Sequence, residues 1–156
     1  MKKILLGILF FIIQGIITVG AVNINNLQDT SRYIKQGDSI TLDVYIDRNS
    51  VAVVRYAPPY YVIQGKIIYV DYTANELWES IEKYYYDYAS KDMKMQNIQL
   101  TTYTFNGEQI DLNNFQSNPY YRTPSSVSWG SNGFSCGNIL FYLCYNMLFD
   151  DNKPTI

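Results

Sequence analysis

Apolar and polar positions divide the chain into an apolar leader, a polar entry, an alternating middle and an apolar tail. From residue 40 the alternation is strict. Ile40, Leu42, Val44 and Ile46 fall on one side, Thr41, Asp43 and Tyr45 on the other, the period of a half-buried strand. Asp47-Arg48-Asn49-Ser50 has turn chemistry, and Val51-Ala52-Val53-Val54 is β-branched enough to return as the antiparallel arm of a hairpin. Ala57-Pro58-Pro59 interrupts the pairing, because proline has no N–H to give to a ladder. A second hairpin is expected beyond it, with arms Tyr60-Tyr61-Val62-Ile63 and residues 66–72 and a turn at Gln64-Gly65.

Residues 74–89 carry two conflicting signals. Leu77, Ile81, Tyr84, Tyr85 and Tyr88 recur at helical spacing, and Thr73 with Glu76 has the form of a capping box, whereas Tyr84-Tyr85-Tyr86 favours a strand. The pattern predicts a helical turn over 75–81 running into a strand over 83–88. Residues 93–105 read as a long strand that turns at Asn106-Gly107 and returns through Gln109-Ile110-Asp111-Leu112. Residues 113–134, with Pro119, Pro124, Gly130 and Gly133, read as a long surface loop. In the tail, Cys136, Ile139, Leu140, Leu143, Cys144 and Met147 form one helical stripe, and Phe141, Tyr142, Tyr145, Leu148 and Phe149 make the other sides apolar too. Such a helix needs cover on more than one side, from the sheet and, in one reading, from a second subunit.

These elements predict an α+β domain: a small antiparallel β-sheet of about five to seven strands packed by a C-terminal α-helix. The domain spans 39–150, preceded by an extended polar entry over 22–38 that ends at the turn Gln36-Gly37-Asp38. Residues 1–21 read as a signal peptide: Lys2 and Lys3 precede an apolar run, and Val19-Gly20-Ala21 offers small residues for cleavage. An uncleaved anchor is the competing reading, since Ile16, Ile17 and Val19 extend the apolar run, but Gly15 and Gly20 suit the end of a signal peptide better than a span. The expected product is exported, to the periplasm, the cell surface or the medium, with no stable membrane insertion once the leader is removed.

Composition narrows the chemistry. Loss of the leader takes away two lysines and no acid, moving the formal charge from −2 to −4, so nucleic acid is not an expected partner. The chain has no histidine, which excludes His-based triads and His-bearing zinc sites, and two cysteines cannot complete a structural zinc site. Cys136 and Cys144 stand eight residues apart on the predicted helix, ~12 Å between α-carbons, so no disulfide is expected between them. They read as two small residues of the apolar stripe. No catalytic residue, cofactor or metal is expected, and the chain reads as a non-enzyme.

What stands out is aromatic, with 16 Tyr, 7 Phe and 2 Trp. Tyrosine supplies large amphipathic contact area at low entropic cost, and with Trp and Arg it dominates binding hot spots. Tyr84, Tyr86, Tyr88, Tyr120, Tyr121 and Arg122 are therefore the candidate binding residues, with Tyr84, Tyr86 and Arg122 expected together on the open face of the sheet. A hydrolase acting through carboxylates is the second reading. It would need two acidic residues brought into an aromatic cleft. A structural homodimer that hides the outer side of the helix is the third.

The strand carrying Val44-Tyr45-Ile46-Asp47 with Ser50-Val51, the Asn106-Gly107 turn after a tyrosine-bearing strand, and Thr123-Pro124-Ser125 leading to a helix with Cys144-Tyr145-Asn146 together resemble the surface-adhesin protein E family of exported bacterial proteins. The resemblance implies a small antiparallel sheet packed by a C-terminal helix and a role in binding host or envelope proteins. The chain differs in having Val22 where the lipoproteins of that family have their lipid-bearing cysteine, and in the tyrosine-rich character of residues 76–94, which match a basic stretch there.

Overall fold

The structure, a computed structural model, describes residues 22–37, 39–111 and 123–150. The predicted leader and the candidates Tyr120, Tyr121 and Arg122 lie outside these. The described chain runs through a 3-10 turn Ile24–Gln28, strands β1 (Tyr33–Lys35), β2 (Leu42–Ala57), β3 (Tyr60–Asp71), β4 (Glu76–Asp87), β5 (Asp92–Thr104), β6 (Gln109–Asp111) and β7 (Ser125–Ser126), and helix α1 (Asn132–Tyr145). The strands form one antiparallel sheet in the order β1-β2-β3-β4-β5-β6, with β7 also on β5. The α+β class is as predicted.

The two short hairpins expected before residue 72 are instead one long one. β2 and β3 each run through their predicted internal turns, and the chain reverses only at Pro58-Pro59. The turn-forming groups of residues 47–50 close a bulge. Asp47 Oδ1 accepts from the Asn49 amide at 3.1 Å, while Ser50 Oγ donates to the Asp47 carbonyl at 2.6 Å and accepts from the Lys66 amide at 2.7 Å. Residues 48–51 thus stand opposite Gly65 with their polar groups satisfied inside the ladder. A further register shift follows between Val53 and Arg55. The outer side of this half of β2 has no strand partner among the described residues, and such bulges are one way a sheet discourages edge pairing. Ile40, predicted on the buried side, precedes β2 and is 97% exposed.

The helical turn predicted over 75–81 is strand. Asp71 Oδ1 accepts from the amides of Thr73 and Ala74 and from the Thr73 hydroxyl, so the residues read as a capping box build a tight turn, with Asn75 in the left-handed region at φ 56°. β5 and the Asn106-Gly107 turn follow the prediction, with Gly107 at φ 89°. The entry segment is not simply extended: it holds the 3-10 turn and β1.

Two cores sit on opposite faces of the sheet, toward opposite ends of the strands. Near the β2–β3 and β4–β5 turns, α1 packs on Ile46, Ile63, Ile67, Tyr84, Tyr86 and Met93. Burial of each of these isoleucines contributes about 2 kcal/mol. Toward the other end and on the other face, Val22, Leu27 and Tyr33 cover Ile68, Val70, Leu77 and Tyr103. The bidentate pair Arg32–Asp47 (3.1 and 2.8 Å) and Lys35–Asp43 (3.0 Å) hold this entry segment against β2.

The helix begins where Ser131 Oγ accepts from the Phe134 amide at 3.1 Å and ends at Asn146, φ 54°, whose amide reaches the Tyr142 carbonyl. Met147, predicted on the stripe, lies past the helix and is 45% exposed. Every residue from Phe134 to Phe141 is buried, so this half of the helix is covered within the chain. The buried Asn138 side chain bonds both the N–H and the C=O of Asp150 at 3.0 Å, and the returning Phe149 meets Tyr86 and Phe141.

Contact between helix and sheet is closest at two glycines. A Cβ on Gly137 would collide with Met93 Sδ and come within 2.8 Å of the Tyr84 ring, and one on Gly65 would come within 2.7 Å of Leu140. Gly137→Ala raises helix propensity but overpacks this contact against a rigid ring, so it is expected to lower stability by about 1–3 kcal/mol. Urea unfolding with an unchanged m-value measures it; a variant as stable as the parent would show that the helix can lift without penalty.

Candidate functional site

Cross-strand partners share a face, so the register settles where Tyr84 and Tyr86 point. Tyr84 and Tyr86 face the helix and are 0% and 2% exposed, which corrects the expectation that they line the open face. The Tyr86 hydroxyl donates to the Gly137 carbonyl at 2.8 Å. Tyr88 is half-buried, stacked on Phe141, with the Lys91 ammonium 3.5 Å from its ring centre. The same Lys91 donates to the Phe149 carbonyl at 2.7 Å. These three tyrosines knit helix to sheet.

Beneath the helix lies a buried carboxyl. Glu82 is 1% exposed and accepts from Tyr69 at 2.9 Å and Tyr84 at 2.6 Å. Burial pushes its pKa up, against the lowering effect of the tyrosine hydroxyls, and Tyr84 and Tyr69 are pushed up by burial and by Glu82. Cys136 is fully buried nearby, and burial together with Glu82 raises its thiol well above the ordinary value; the half-exposed Cys144 is raised by burial alone. Both cysteines are free thiols. Neither has the electropositive, accessible setting that makes a thiolate nucleophile.

The face opposite the helix is different. Its half near the turns is left uncovered by the described residues and shows one cross-strand row: Arg55 beside Val62, Val62 beside Tyr85, Tyr85 beside Lys94. A cleft of about 280 Å³ is lined by these four residues and by Tyr60, which is 53% exposed. The next row holds Gln64, Lys83 and Gln96, and the Tyr85 hydroxyl donates to Gln96 Oε1 at 2.7 Å, which fixes the ring across the face. Among the described residues the side chains of Arg55 and Lys83 make no ion pair or side-chain hydrogen bond. Lys94 has only a loose partner in Asp92, 3.8 Å away and half exposed.

A smaller pocket of about 180 Å³ lies farther along the same face, but the charged groups there are committed: Arg32 to Asp47, and Lys66 to Glu79 at 2.8 Å. The first cleft also has two carboxylates at its rim, Asp87 and Asp92, opposite each other at the β4–β5 turn. The Ser90 hydroxyl, with the amides of Ser90 and Ala89, holds Asp87 below the usual carboxylate range. An acid held ionised in this way is a poor proton donor.

No family model, curated protein or solved structure matches the chain. Among the described residues no group of His, Cys, Asp and Glu is placed to hold a metal ion, and no helix is long and apolar enough to cross a membrane.

The sequence pointed to the tyrosine run, of which Tyr84 and Tyr86 are buried under the helix. Tyr85 and Tyr60 face out, and the cations around them come from three strands far apart in sequence. Strand parity was the available signal for Tyr85 once residues 76–87 are read as strand throughout.

Glu82 provides a test of the buried cluster. Its folded pKa is raised above the ordinary 4.5, so the folded state binds more protons than the unfolded state as pH rises from there, and stability falls. Glu82→Gln removes this term. The variant is expected to gain stability relative to the parent as pH goes from 4 to 8, as followed by urea midpoints; a difference independent of pH would mean that Glu82 titrates normally.

Proposed function

We propose that the chain is an exported, non-enzymatic binding module of the bacterial envelope or surface, and that it holds its ligand on the uncovered half of the sheet. The carrying observation is the row Arg55, Val62, Tyr85 and Lys94 with Tyr60 beside it, a cleft whose cation Arg55 has no partner among the described residues. Exposed aromatic rings next to uncommitted Arg and Lys are the composition of a recognition patch, whereas rings and cations that serve the fold are packed and paired, as Tyr86 and Arg32 are. Export rests on the leader pattern in residues 1–21, and the adhesin-like role on the resemblance to the surface-adhesin protein E family.

Hydrolysis is the second reading, favoured by the two carboxylates at the rim of a tyrosine-lined cleft. It is the weaker one, because Asp87 is occupied in shaping its turn.

Expression of the whole chain is expected to yield an exported product that begins at Val22, as read by N-terminal sequencing. Retention of that product on immobilised envelope fractions and host-matrix proteins measures binding. Replacing Arg55 and Tyr85 together by Ala is expected to weaken it at least about tenfold with little change in melting temperature, since both side chains reach solvent. Retention equal to that of the parent would remove this face as the contact surface, and recovery of the intact precursor in the cytosol would remove export.

A further inference from the structure

Resting on the reading of this face as the binding surface, we infer that its ligand is an acidic oligosaccharide laid across the strands, with carboxylates toward Arg55 and Lys94 and a sugar ring over Tyr85. The chemistry follows from what the face offers and what it withholds. β3 and β4 are paired on both sides, so their backbone N–H and C=O groups are consumed by the ladders and recognition here falls to side chains. An extended peptide is read through main-chain bonds at a sheet edge. A ligand on this face must bring its own hydrogen-bonding and charged groups, as a saccharide with carboxylates does.

The lining matches such a ligand in order. Arg55 on β2 and Lys94 on β5 stand three strand spacings apart, ~14 Å, the reach of a short oligosaccharide, with Tyr85 between them. The Tyr85 ring is held by Gln96, and a fixed aromatic face flanked by amides and cations can stack on the C–H side of a pyranose while Gln64 and Lys83 meet its hydroxyls. Arg offers a carboxylate its planar fork, and here no partner among the described residues competes for it. The cleft also carries Asp87 and Asp92, but both sit at its β4–β5 turn end, and on this half of the face Arg55, Lys83 and Lys94 outnumber them, so the carboxylates of the ligand belong away from that end.

The test titrates the exported chain, labelled with nitrogen-15, with oligogalacturonate, a neutral gluco-oligosaccharide, a single-stranded oligonucleotide and polyglutamate. Oligogalacturonate is expected to shift the amides of Val62, Tyr85 and Lys94, to bind more weakly as salt rises, and to lose about tenfold in affinity in each of Arg55→Ala, Lys94→Glu and Tyr85→Ala. The neutral sugar is expected to bind at least about tenfold more weakly. Equal binding of the neutral sugar overturns the acidic assignment, and tighter binding of the oligonucleotide or polyglutamate at the same amides overturns the saccharide; either result leaves the face as the binding surface. Oligogalacturonate binding that shifts other amides removes the face itself. Absence of binding by every probe overturns the acidic oligosaccharide alone, because retention of the Arg55/Tyr85 variant tests the face independently.

Discussion

Everything in this fold follows from how closely the helix approaches the sheet. Gly137 lies against Tyr84 and Met93, and Gly65 leaves room for Leu140 in the middle of β3, so backbone meets side chain where most helices meet a sheet through two layers of side chains. The approach explains why a helix keeps a glycine at its centre, why a strand keeps one opposite a bulge, and why Glu82, the cross-strand partner of Gly65, is roofed over. A carboxyl in that position would be costly alone. Two tyrosine hydroxyls make it tolerable, and their own burial is part of the same packing.

The second constraint is that the sheet has a core on each face, displaced along the strands. A residue that points inward at one end of β4 shares its face with residues that point outward at the other: Leu77 is fully buried and Tyr85, on the same side, reaches the open cleft. This geometry leaves half of each face without a layer over it among the described residues. The uncovered half opposite α1 carries the unmatched cations.

Much of the architecture was legible because its signals were local. Pro58-Pro59, the alternation in residues 42–46 and Asn106-Gly107 each report through a few neighbouring residues what the backbone does there. The failures share a cause. Asp47, Asn49, Ser50 and Gly65 have turn chemistry, but chemistry that satisfies backbone groups serves a bulge as well as a turn, and only the partner strand decides between them. The candidate site failed by parity. With residues 75–81 read as helix, nothing anchored the alternation of the tyrosines, and the burial preference of Tyr is too even to choose between Tyr84 and Tyr85. Arg55 and Lys94 meet across Tyr85 through long-range pairing that no local pattern announces.

The offset of the two cores has a further meaning for motion. The cover on the side away from the helix is the entry segment, fastened by Leu27, Tyr33 and the ion pairs of Arg32 and Lys35. Peeling it away would bare Ile68, Val70, Leu77 and Tyr103 and lift Ile34 off the edge of the helix-side core, but the glycine contacts of the helix and the Glu82 cluster are made by other elements. Amide exchange should then proceed by two openings of different free energy, the lower confined to the N-terminal flap and the higher requiring the whole sheet to come apart.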